Sequence, residues 1–131
     1  MSYIGDTVNT SATLAGCVAA KTSAGAGCAV KFNATGDIAL CDTAGEAALG
    51  VLLAQTPDEV AAGDAVSVQI KDVGLWLSGG SFDCGALLAT DASGHAVEAQ
   101  TGDFILGMSL EASGAAGQLC RVQLVKGGFM A

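Results

Sequence analysis

The stretch ASGHAVEAQTGDFILGMSLEASGAAGQLCRVQLV, residues 92–125, decides the fold because most of it repeats an earlier stretch. The earlier copy is ATGDIALCDTAGEAALGVLLAQTPDEVAAGDAVSVQI, residues 34–70. Each copy holds, in the same order, a turn ending in glycine, a glycine followed by an acidic residue, a Leu-Gly step and an Ala-Ala-Gly step. The spacing between the copies changes only slightly along the chain, as expected when loops differ by a few residues. Two long copies favour one pseudo-symmetric domain over a solenoid.

Both copies carry the signals of β-strands. Residues 65–70 alternate apolar and polar side chains, which is the period of a half-buried strand. Thr-Gly-Asp at 35–37 and Ser-Gly-His at 93–95 are typical of hairpin turns, because glycine reaches positive φ at little steric cost. Strand-like runs recur at intervals typical of a small barrel or sandwich. Gly50 and Gly107 fall inside predicted strands, where a glycine marks a bend, a bulge or close backbone approach.

The sequence therefore predicts an all-β chain. A single compact, barrel-like domain is expected over residues 28–131, built from two pseudo-symmetric repeats at approximately 32–77 and 88–130. Residues 1–27 belong to neither repeat and are rich in Ala, Gly, Thr and Ser, so they are predicted to form an extended arm, with plain disorder as the alternative. At most one short helix is expected, at residues 56–60, where a Thr-Pro pair resembles a helix start.

The charge of the chain argues against two classes of partner. The formal net charge is −8, from 13 acidic and 5 basic residues. The basic residues occur singly, whereas nucleic-acid-binding proteins cluster them against phosphates, so we expect no nucleic-acid partner. The longest uncharged apolar run covers residues 47–54, well short of the roughly 20 residues that span a bilayer, and no signal peptide opens the sequence. We therefore expect no membrane partner.

The spacing of the cysteines predicts no metal or redox site. Cys17, Cys28, Cys41, Cys84 and Cys120 form no C-x-x-C pair. We interpret them as reduced, mostly buried thiols that act as small hydrophobic side chains, with a disulfide or metal framework as the alternative. Reduced thiols suit synthesis in a cytoplasm.

No motif of a catalytic class is present. The sequence lacks a G-x-S-x-G elbow, an H-E-x-x-H pair and a phosphate-binding P-loop. His95 takes the turn position that Asp37 takes in the first copy, which favours a solvated residue over a catalytic base. Carboxylates beside other turns are expected to cap backbone N–H groups, with calcium binding as the alternative; they are Asp42, Glu46, Asp91 and Asp103. We predict no catalytic residue, no cofactor and no metal site, and hence no enzyme.

The two repeats end in aromatic residues. Trp76 lies between Leu75 and Leu77 at the predicted end of the first repeat, and the matching stretch of the second holds Phe129 and Met130. One interpretation makes the aromatic residues plugs of the core. The other makes all five residues a trimer or subunit contact, because aromatic side chains are enriched at the centres of protein interfaces.

The sequence resembles the capsid cement proteins, or head decoration proteins, of tailed bacteriophages. The resemblance rests on the motifs AAGDAV, GALLATDASGHAVEA, LGMSLEA and AAGQLCRVQLV and covers about residues 36–125. It implies a small β-tulip-like or compact-barrel protein without catalytic residues. It further implies a homotrimer at three-fold and quasi-three-fold positions on the outer surface of the virion, where it binds the major capsid protein and stabilises the expanded, DNA-filled shell.

The resemblance also implies a role for the N-terminal arm. In this family such an arm often contacts the major capsid protein, and the residues expected to do so here are Ser2, Tyr3, Ile4, Val8 and Leu14. This sequence departs from the family in its long Ala-, Thr- and Ser-rich start and in its number of cysteines.

Three alternatives remain open at this point. Another virion structural module, such as a head fibre base or a tail accessory protein, shares the same composition. A biotinyl or lipoyl carrier module also consists of two similar β-halves, but Lys71 lacks the E-A-M-K or D-K-A context of a modified lysine. An enzyme would need a constellation of catalytic residues that the sequence does not provide.

Overall fold

A computed structural model describes residues 11–18, 22–23, 25–53 and 59–131. This part of the chain is all-β, as predicted, and none of it is helical. The strands are β1 (Thr13–Cys17), β2 (Thr22–Ser23), β3 (Ala29–Phe32), β4 (Ile38–Leu40), β5 (Gly50–Leu52), β6 (Glu59–Val60), β7 (Ala65–Gln69), β8 (Asp72–Leu77), β9 (Leu87–Thr90), β10 (Ala96–Glu98), β11 (Phe104–Ser109) and β12 (Leu119–Phe129).

Ten of these strands form two five-stranded antiparallel sheets. The first sheet has the order β1-β7-β5-β3-β4 and the second has the order β8-β12-β11-β9-β10, while β2 and β6 pair separately. The two orders correspond strand by strand, so each strand of one sheet has a counterpart in the other. The repeat seen in the sequence is therefore a repeat of topology.

The register of the two sheets corresponds as well. Every residue pair of the first sheet has a counterpart pair in the second. Each sheet is curled until its two edges meet at one parallel bridge, between Val18 and Ile38 in the first and between Ser78 and Ala96 in the second. The curl gives each sheet a concave side on which a core packs.

The two halves begin earlier than the sequence predicted. β8 was placed at the end of the first repeat, but it is the edge strand that opens the second sheet. Its counterpart β1 lies inside the predicted arm and pairs with β7 along its whole length. The first half is therefore residues 13–69 and the second half residues 72–129, and the part of the predicted arm at residues 13–17 is a strand of the domain.

The short helix expected at residues 56–60 is not observed at its described end. Glu59 and Val60 form β6, which pairs with Thr22 and Ser23 of β2. Residues 54–58 lie outside the described part of the chain. Strand pairing satisfies the backbone groups of Glu59 and Val60 that a helical turn would otherwise have to satisfy.

The core runs through both halves. The larger cluster of buried side chains joins Ala29 and Val51 of the first half to Trp76 and Leu106 of the second. Trp76 is fully buried, and its indole N–H donates a hydrogen bond to the Gly94 carbonyl oxygen at 2.9 Å. Burial of this size with the polar atom satisfied makes Trp76 a core residue.

The two halves fill the same core position with different residues. By register, Gly16 of β1 is the counterpart of Trp76, and Ile38 is the counterpart of Ala96. A Cβ atom on Gly16 would lie 2.8 Å from Cγ1 of Ile38, so the isoleucine occupies the space above the glycine. The large residue therefore lies on β4 in the first half and on β8 in the second half, and the small residue lies on the opposite edge strand in each half.

The strand glycines of the two Leu-Gly steps lie against a neighbouring backbone. A Cβ atom on Gly50 would overlap the carbonyl oxygen of Gln69. A Cβ atom on Gly107 would lie 2.9 Å from the carbonyl oxygen of Gln123. Both positions need glycine because the neighbouring strand approaches too closely for any side chain.

Candidate interaction surface

The outer side of β8 and β12 holds four of the seven large apolar side chains that are exposed among the described residues. Four large side chains on it, Val73, Leu75, Leu119 and Val125, are each between 40% and 53% exposed. Residues in between, such as Trp76 and Val122, face the core, so the pattern follows from the period of a strand. We call the four residues, with Arg121 and Gln123 between them, the β8–β12 outer face.

The counterpart surface on the first half lacks large apolar side chains. By register, Leu75 corresponds to Ala15, and Arg121 corresponds to Ser67. The full set on the outer side of β1 and β7 is Thr13, Ala15, Cys17, Ala65, Ser67 and Gln69. The apolar face therefore belongs to the second half alone. Exposed apolar clusters of this kind mark sites of protein association.

A cleft of about 240 Å³ adjoins the β8–β12 outer face. Its wall from the first half includes Leu53 and Gln69, and its wall from the second half includes Val73 and Leu75. The Gln69 side-chain amide spans this junction, since it donates hydrogen bonds to the carbonyl oxygens of Lys71 at 3.0 Å and Val73 at 2.7 Å. The cleft extends the apolar surface across the boundary between the two halves.

The structure does not bring the five predicted contact residues together as one patch. Leu75 is exposed on the β8–β12 outer face, and Leu77 is half-buried on the same strand. Trp76 is in the core, so its side chain has no surface to offer a partner. Phe129 is 66% exposed and Met130 half-buried, and both lie beyond the part of β12 that pairs with β8.

Phe129 and Met130 cover one end of the second half. The ring of Phe129 packs edge to face against Phe104, with centroids 5.5 Å apart. Met130 packs on a small cluster that contains Ala99 and Ile105. Backbone hydrogen bonds hold the segment, because Met130 donates to the Asp103 carbonyl oxygen at 2.7 Å.

Of the predicted arm contacts, only Leu14 lies within the described residues. Leu14 is half-buried in β1 and pairs with Val68, so it is part of the first sheet. The other four predicted contacts, Ser2, Tyr3, Ile4 and Val8, lie outside the described part of the chain.

Three of the four acidic residues predicted to cap turns, Glu46, Asp91 and Asp103, accept hydrogen bonds from backbone N–H groups. The fourth, Asp42, instead accepts from the Lys31 ammonium group and the Thr43 hydroxyl. The Asp91 carboxylate accepts hydrogen bonds from the N–H groups of Ser93 at 2.8 Å and His95 at 2.9 Å. The Asp103 carboxylate accepts from the N–H of Gln100 at 2.9 Å. These contacts are local turn capping. Within the described ranges, no group of three or more His, Cys, Asp or Glu side chains is placed to hold a metal ion.

One ionic cluster distinguishes the first half. The Lys31 ammonium group lies 2.8 Å from Asp42 and 2.9 Å from Glu46. The Glu46 carboxylate also accepts hydrogen bonds from the N–H groups of Asp42 and Thr43. The hydrogen bonds to these two carboxylates raise the pKa of Lys31, and the hydrogen bond from Lys31 lowers the pKa of Asp42. The cluster is a structural ion pair at a turn.

The five thiols divide into two groups. Cys28, Cys41 and Cys120 are buried, and Cys17 and Cys84 are exposed. Burial raises the pKa of Cys41 to about 12, and it raises the pKa of Cys28 and of Cys120 as well. The buried thiols are thus small core side chains rather than nucleophiles.

The sequence also matches a known family. A family model described as phage cement protein matches residues 34–124, more than two thirds of the chain. The chain belongs to the phage cement protein family. This confirms the resemblance drawn from the repeated motifs. The protein is a structural component of a virion and associates with the phage capsid.

The fold of this cement protein is shared with another phage head protein. It is similar to the head fiber gp8.5 N base of bacteriophage phi29, with a TM-score of 0.67 and 17% identity over 91% of this chain and 98% of that chain. No curated protein matches the chain. None of the described residues forms a helix long and apolar enough to cross a membrane.

Sequence reasoning missed three residues of the cement protein's outer face: Val73, Leu119 and Val125. A signal was present, because the sequence DVGLWL of β8 is apolar on both sides of the strand. A strand whose two sides are both apolar either lies between two layers or exposes one apolar side. Only the packing shows that Trp76 faces the core and Leu75 faces outward.

Proposed function

We propose that the protein binds the outside of the phage head as a homotrimer at three-fold and quasi-three-fold positions. There it cements neighbouring major capsid protein subunits and stabilises the expanded, DNA-filled shell. It acts as a structural protein and not as an enzyme, and it is made in the cytoplasm of the bacterial host. The observation that supports this proposal best is the β8–β12 outer face, with Val73, Leu75, Leu119 and Val125 exposed together.

Many weak contacts suit a cement protein. Each copy needs to add only a modest contact between neighbouring shell subunits, because contacts made at once by linked copies reinforce each other through effective concentration. An apolar face of a few side chains supplies such a contact. The acidic character of the chain is compatible with a position outside the shell, where no DNA phosphates have to be approached.

The predicted contact residues divide between two partners in this proposal. Leu75 and the half-buried Leu77 contact a shell subunit through the β8–β12 outer face. Phe129 and Met130 lie elsewhere on the second half and contact another copy of the chain. Trp76 acts only through the core.

The proposed arm that contacts the major capsid protein is shorter than the sequence suggested. Thr13 and Leu14 pair with Gln69 and Val68, so a deletion that reached residue 14 would remove two of the five residues of an edge strand. Deletion of residues 2–10 leaves β1 in place. We propose that this segment, which contains Ser2, Tyr3, Ile4 and Val8, adds to the grip on the shell protein.

The proposal is tested by adding the purified full chain to heads that lack it. The copies bound per shell subunit and the temperature at which the heads release DNA are measured for three variants. Leu75→Asp should weaken binding at least tenfold, because an aspartate in an apolar contact must be desolvated without a partner. Ala15→Asp is the matched control, since Ala15 occupies the same register position on the first half and is also exposed. Deletion of residues 2–10 should weaken binding while the far-ultraviolet circular dichroism is unchanged.

Two results would overturn parts of this proposal. Equal binding by Leu75→Asp and Ala15→Asp would show that the β8–β12 outer face does not contact the shell. Binding of the unmodified protein without any gain in heat resistance would show that attachment is not cementing.

A second candidate function is the base of a head fibre. The likeness of fold to a head fiber N base favours it. The two functions differ in number of copies, because a cement protein is needed at every equivalent position and a fibre base is not. A ratio near one copy per shell subunit in purified virions supports cementing, and a few copies per particle supports a fibre base.

A further inference from the structure

The two halves contact each other through two different faces. The first half contributes Gly27–Ala29 and Gly45, which we call its rear face. The second half contributes Leu77, the 90–94 turn and Phe104, which we call its front face. The backbone hydrogen bonds between them run from Ala29 N–H to Gly94 O at 2.7 Å, from Leu77 N–H to Gly27 O at 2.8 Å, from Gly45 N–H to Thr90 O at 2.9 Å and from Phe104 N–H to Gly45 O at 3.0 Å.

Because the two halves correspond residue by residue, each half also has the face that it does not use in the contact between the halves. The second half has a rear face of its own at Gly85–Leu87 and Gly102. The first half has a front face of its own at Cys17, the 32–36 turn and Ala47. Among the described residues, no backbone hydrogen bond joins these two faces to each other.

The glycines show which faces are covered. On the paired faces, a Cβ atom on Gly94 would lie 3.0 Å from the Ala29 carbonyl oxygen, and a Cβ atom on Gly27 would lie 2.8 Å from Leu119. Their counterparts Gly36 and Gly85 have nothing within 4 Å of such an atom. The same turns are therefore packed in one half and open in the other.

At two positions an open face carries a larger apolar side chain than the covered face that corresponds to it. Phe32 on the front face is 47% exposed, and its counterpart Thr90 is buried in the second half. Leu87 on the rear face is 36% exposed, and its counterpart Ala29 is buried. Phe129, the most exposed of the large apolar residues that the structure describes, lies on the segment that packs beside Gly102.

We propose that copies of this chain associate head to tail. The front face of the first half of one copy, with Phe32, packs on the rear face of the second half of the next, with Leu87 and Phe129. The contact repeats between molecules the arrangement that joins the two halves within one molecule. Such a contact is heterologous, so successive copies close a ring or form an open chain. The inference deepens the homotrimer part of the proposed function.

The two exposed cysteines lie on these two faces. Cys17 is the counterpart of Leu77, whose N–H donates to Gly27 at 2.8 Å. Gly85 is the counterpart of Gly27, and Cys84 directly precedes Gly85. In the proposed contact, Cys17 of one copy therefore lies beside Gly85 of the next copy, the residue that follows Cys84. The two thiols are then close enough for a short bismaleimide to link them.

The experiment uses the purified full chain, without heads, treated with bismaleimidoethane and separated on a denaturing gel. The expected result is covalent oligomers in the unmodified chain and none in Cys17→Ser or Cys84→Ser alone. An equimolar mixture of these two variants should give a covalent dimer and nothing larger, because only one Cys17–Cys84 pair can form. The buried cysteines remain in every variant.

A second pair of variants tests the faces without cysteine chemistry. Phe32→Asp should lower the solution mass measured by light scattering, whereas Ala112→Asp, at an exposed position off both faces, should not. Leu87→Asp should act like Phe32→Asp, and mixing the two should restore dimers through the one intact pair of faces. Circular dichroism of each variant checks that the fold is unchanged.

The outcomes separate this inference from the proposed function. Cross-linking by either single cysteine variant, or none by the unmodified chain, would overturn the head-to-tail contact and leave attachment to heads unaffected. A ladder that ends at three copies supports a closed trimer. A ladder that continues beyond three supports the contact and contradicts the homotrimer.

Discussion

The two halves of this cement protein share strand order and register, yet their outer sides differ. On β1 and β7 the outward residues are small or polar, as at Ala15 and Ser67. On β8 and β12 the same positions hold Leu75 and Arg121, and large apolar neighbours surround them. Backbone pairing and a few inward residues maintain the fold, so outward residues are free to differ and to bind partners.

The cores of the halves differ in a second way. The first half places Gly16 beside Ile38, and the second places Trp76 where the glycine would be and Ala96 where the isoleucine would be. Each pair of residues fills the concave side of its own curled sheet. The comparison indicates that total volume, rather than the identity of either residue, is what the sheet requires.

The largest effect is expected when the second core loses its tryptophan. Trp76→Ala should lower the free energy of unfolding by about 3–5 kcal/mol, because it leaves a cavity and removes a buried hydrogen bond. Adding Ala96→Ile to that variant should restore part of the loss, since the isoleucine fills the space as Ile38 does beside Gly16. Chemical denaturation followed by circular dichroism measures both changes.

The control for that prediction is Ala96→Ile in the unmodified chain. There the added atoms meet Trp76 and should destabilise the protein by about 1–3 kcal/mol. The effect of one substitution thus changes sign between the two backgrounds. If Ala96→Ile destabilises both backgrounds equally, the volume exchange between the halves is not the explanation of the two cores.

A smaller effect is expected at the two strand glycines, where substitution by alanine should destabilise the protein to different extents. Gly50→Ala should destabilise the protein by about 3 kcal/mol and Gly107→Ala by about 1–2 kcal/mol, within the range of overpacked sites. A Cβ atom at Gly50 would overlap the Gln69 carbonyl oxygen, whereas a Cβ atom at Gly107 would lie 2.9 Å from the Gln123 carbonyl oxygen, so a smaller backbone shift relieves the contact at Gly107. Thermal unfolding of the two variants side by side gives the order, and the reverse order would contradict this view of the strands.

The smallest effect concerns the ionic cluster of Lys31, Asp42 and Glu46 in the first half. Lys31→Met should lower the free energy of unfolding at pH 7 by about 1 kcal/mol or less, as usual for partly exposed ion pairs. The lowered pKa of Asp42 means that the folded protein binds its proton less readily than the unfolded chain. Its contribution is present at neutral pH and is lost as the pH falls through that lowered pKa.

The pH dependence provides the decisive measurement for this cluster. Unfolding free energies at several pH values between about 6 and 3 should fall less steeply in Lys31→Met than in the unmodified chain. Asp42→Asn should flatten the same region, and the double variant should behave like Asp42→Asn alone. An unchanged slope in Lys31→Met would show that Lys31 does not set the pKa of Asp42.

The prediction from sequence succeeded where the signal was local. The turns at 33–37 and 91–95 were visible from their glycines, and the strand β7 was visible from its alternation. The strand β1 was missed because TLAGC holds mostly small residues and shows no clear period. Its place follows only from pairing with β7, a partner about 50 residues away in the chain.

The candidate surface was only partly predictable for the same reason. Leu75 was selected together with Trp76, although neighbouring residues of a strand point to opposite sides. Which side is buried depends on the core that the curled sheet encloses. That side is known only when both sheets are assembled.

By itself, the sequence determined the repeat, the all-β class and the relationship to capsid cement proteins. These depend on turn glycines, short-range alternation and motifs, all of which act over a few residues. The tertiary structure alone decided that β1 and β8 open the two halves, that Trp76 is core, and which faces of each half are covered. Burial is a property of surfaces that meet across the chain, so it follows from how the halves pack and not from local pattern.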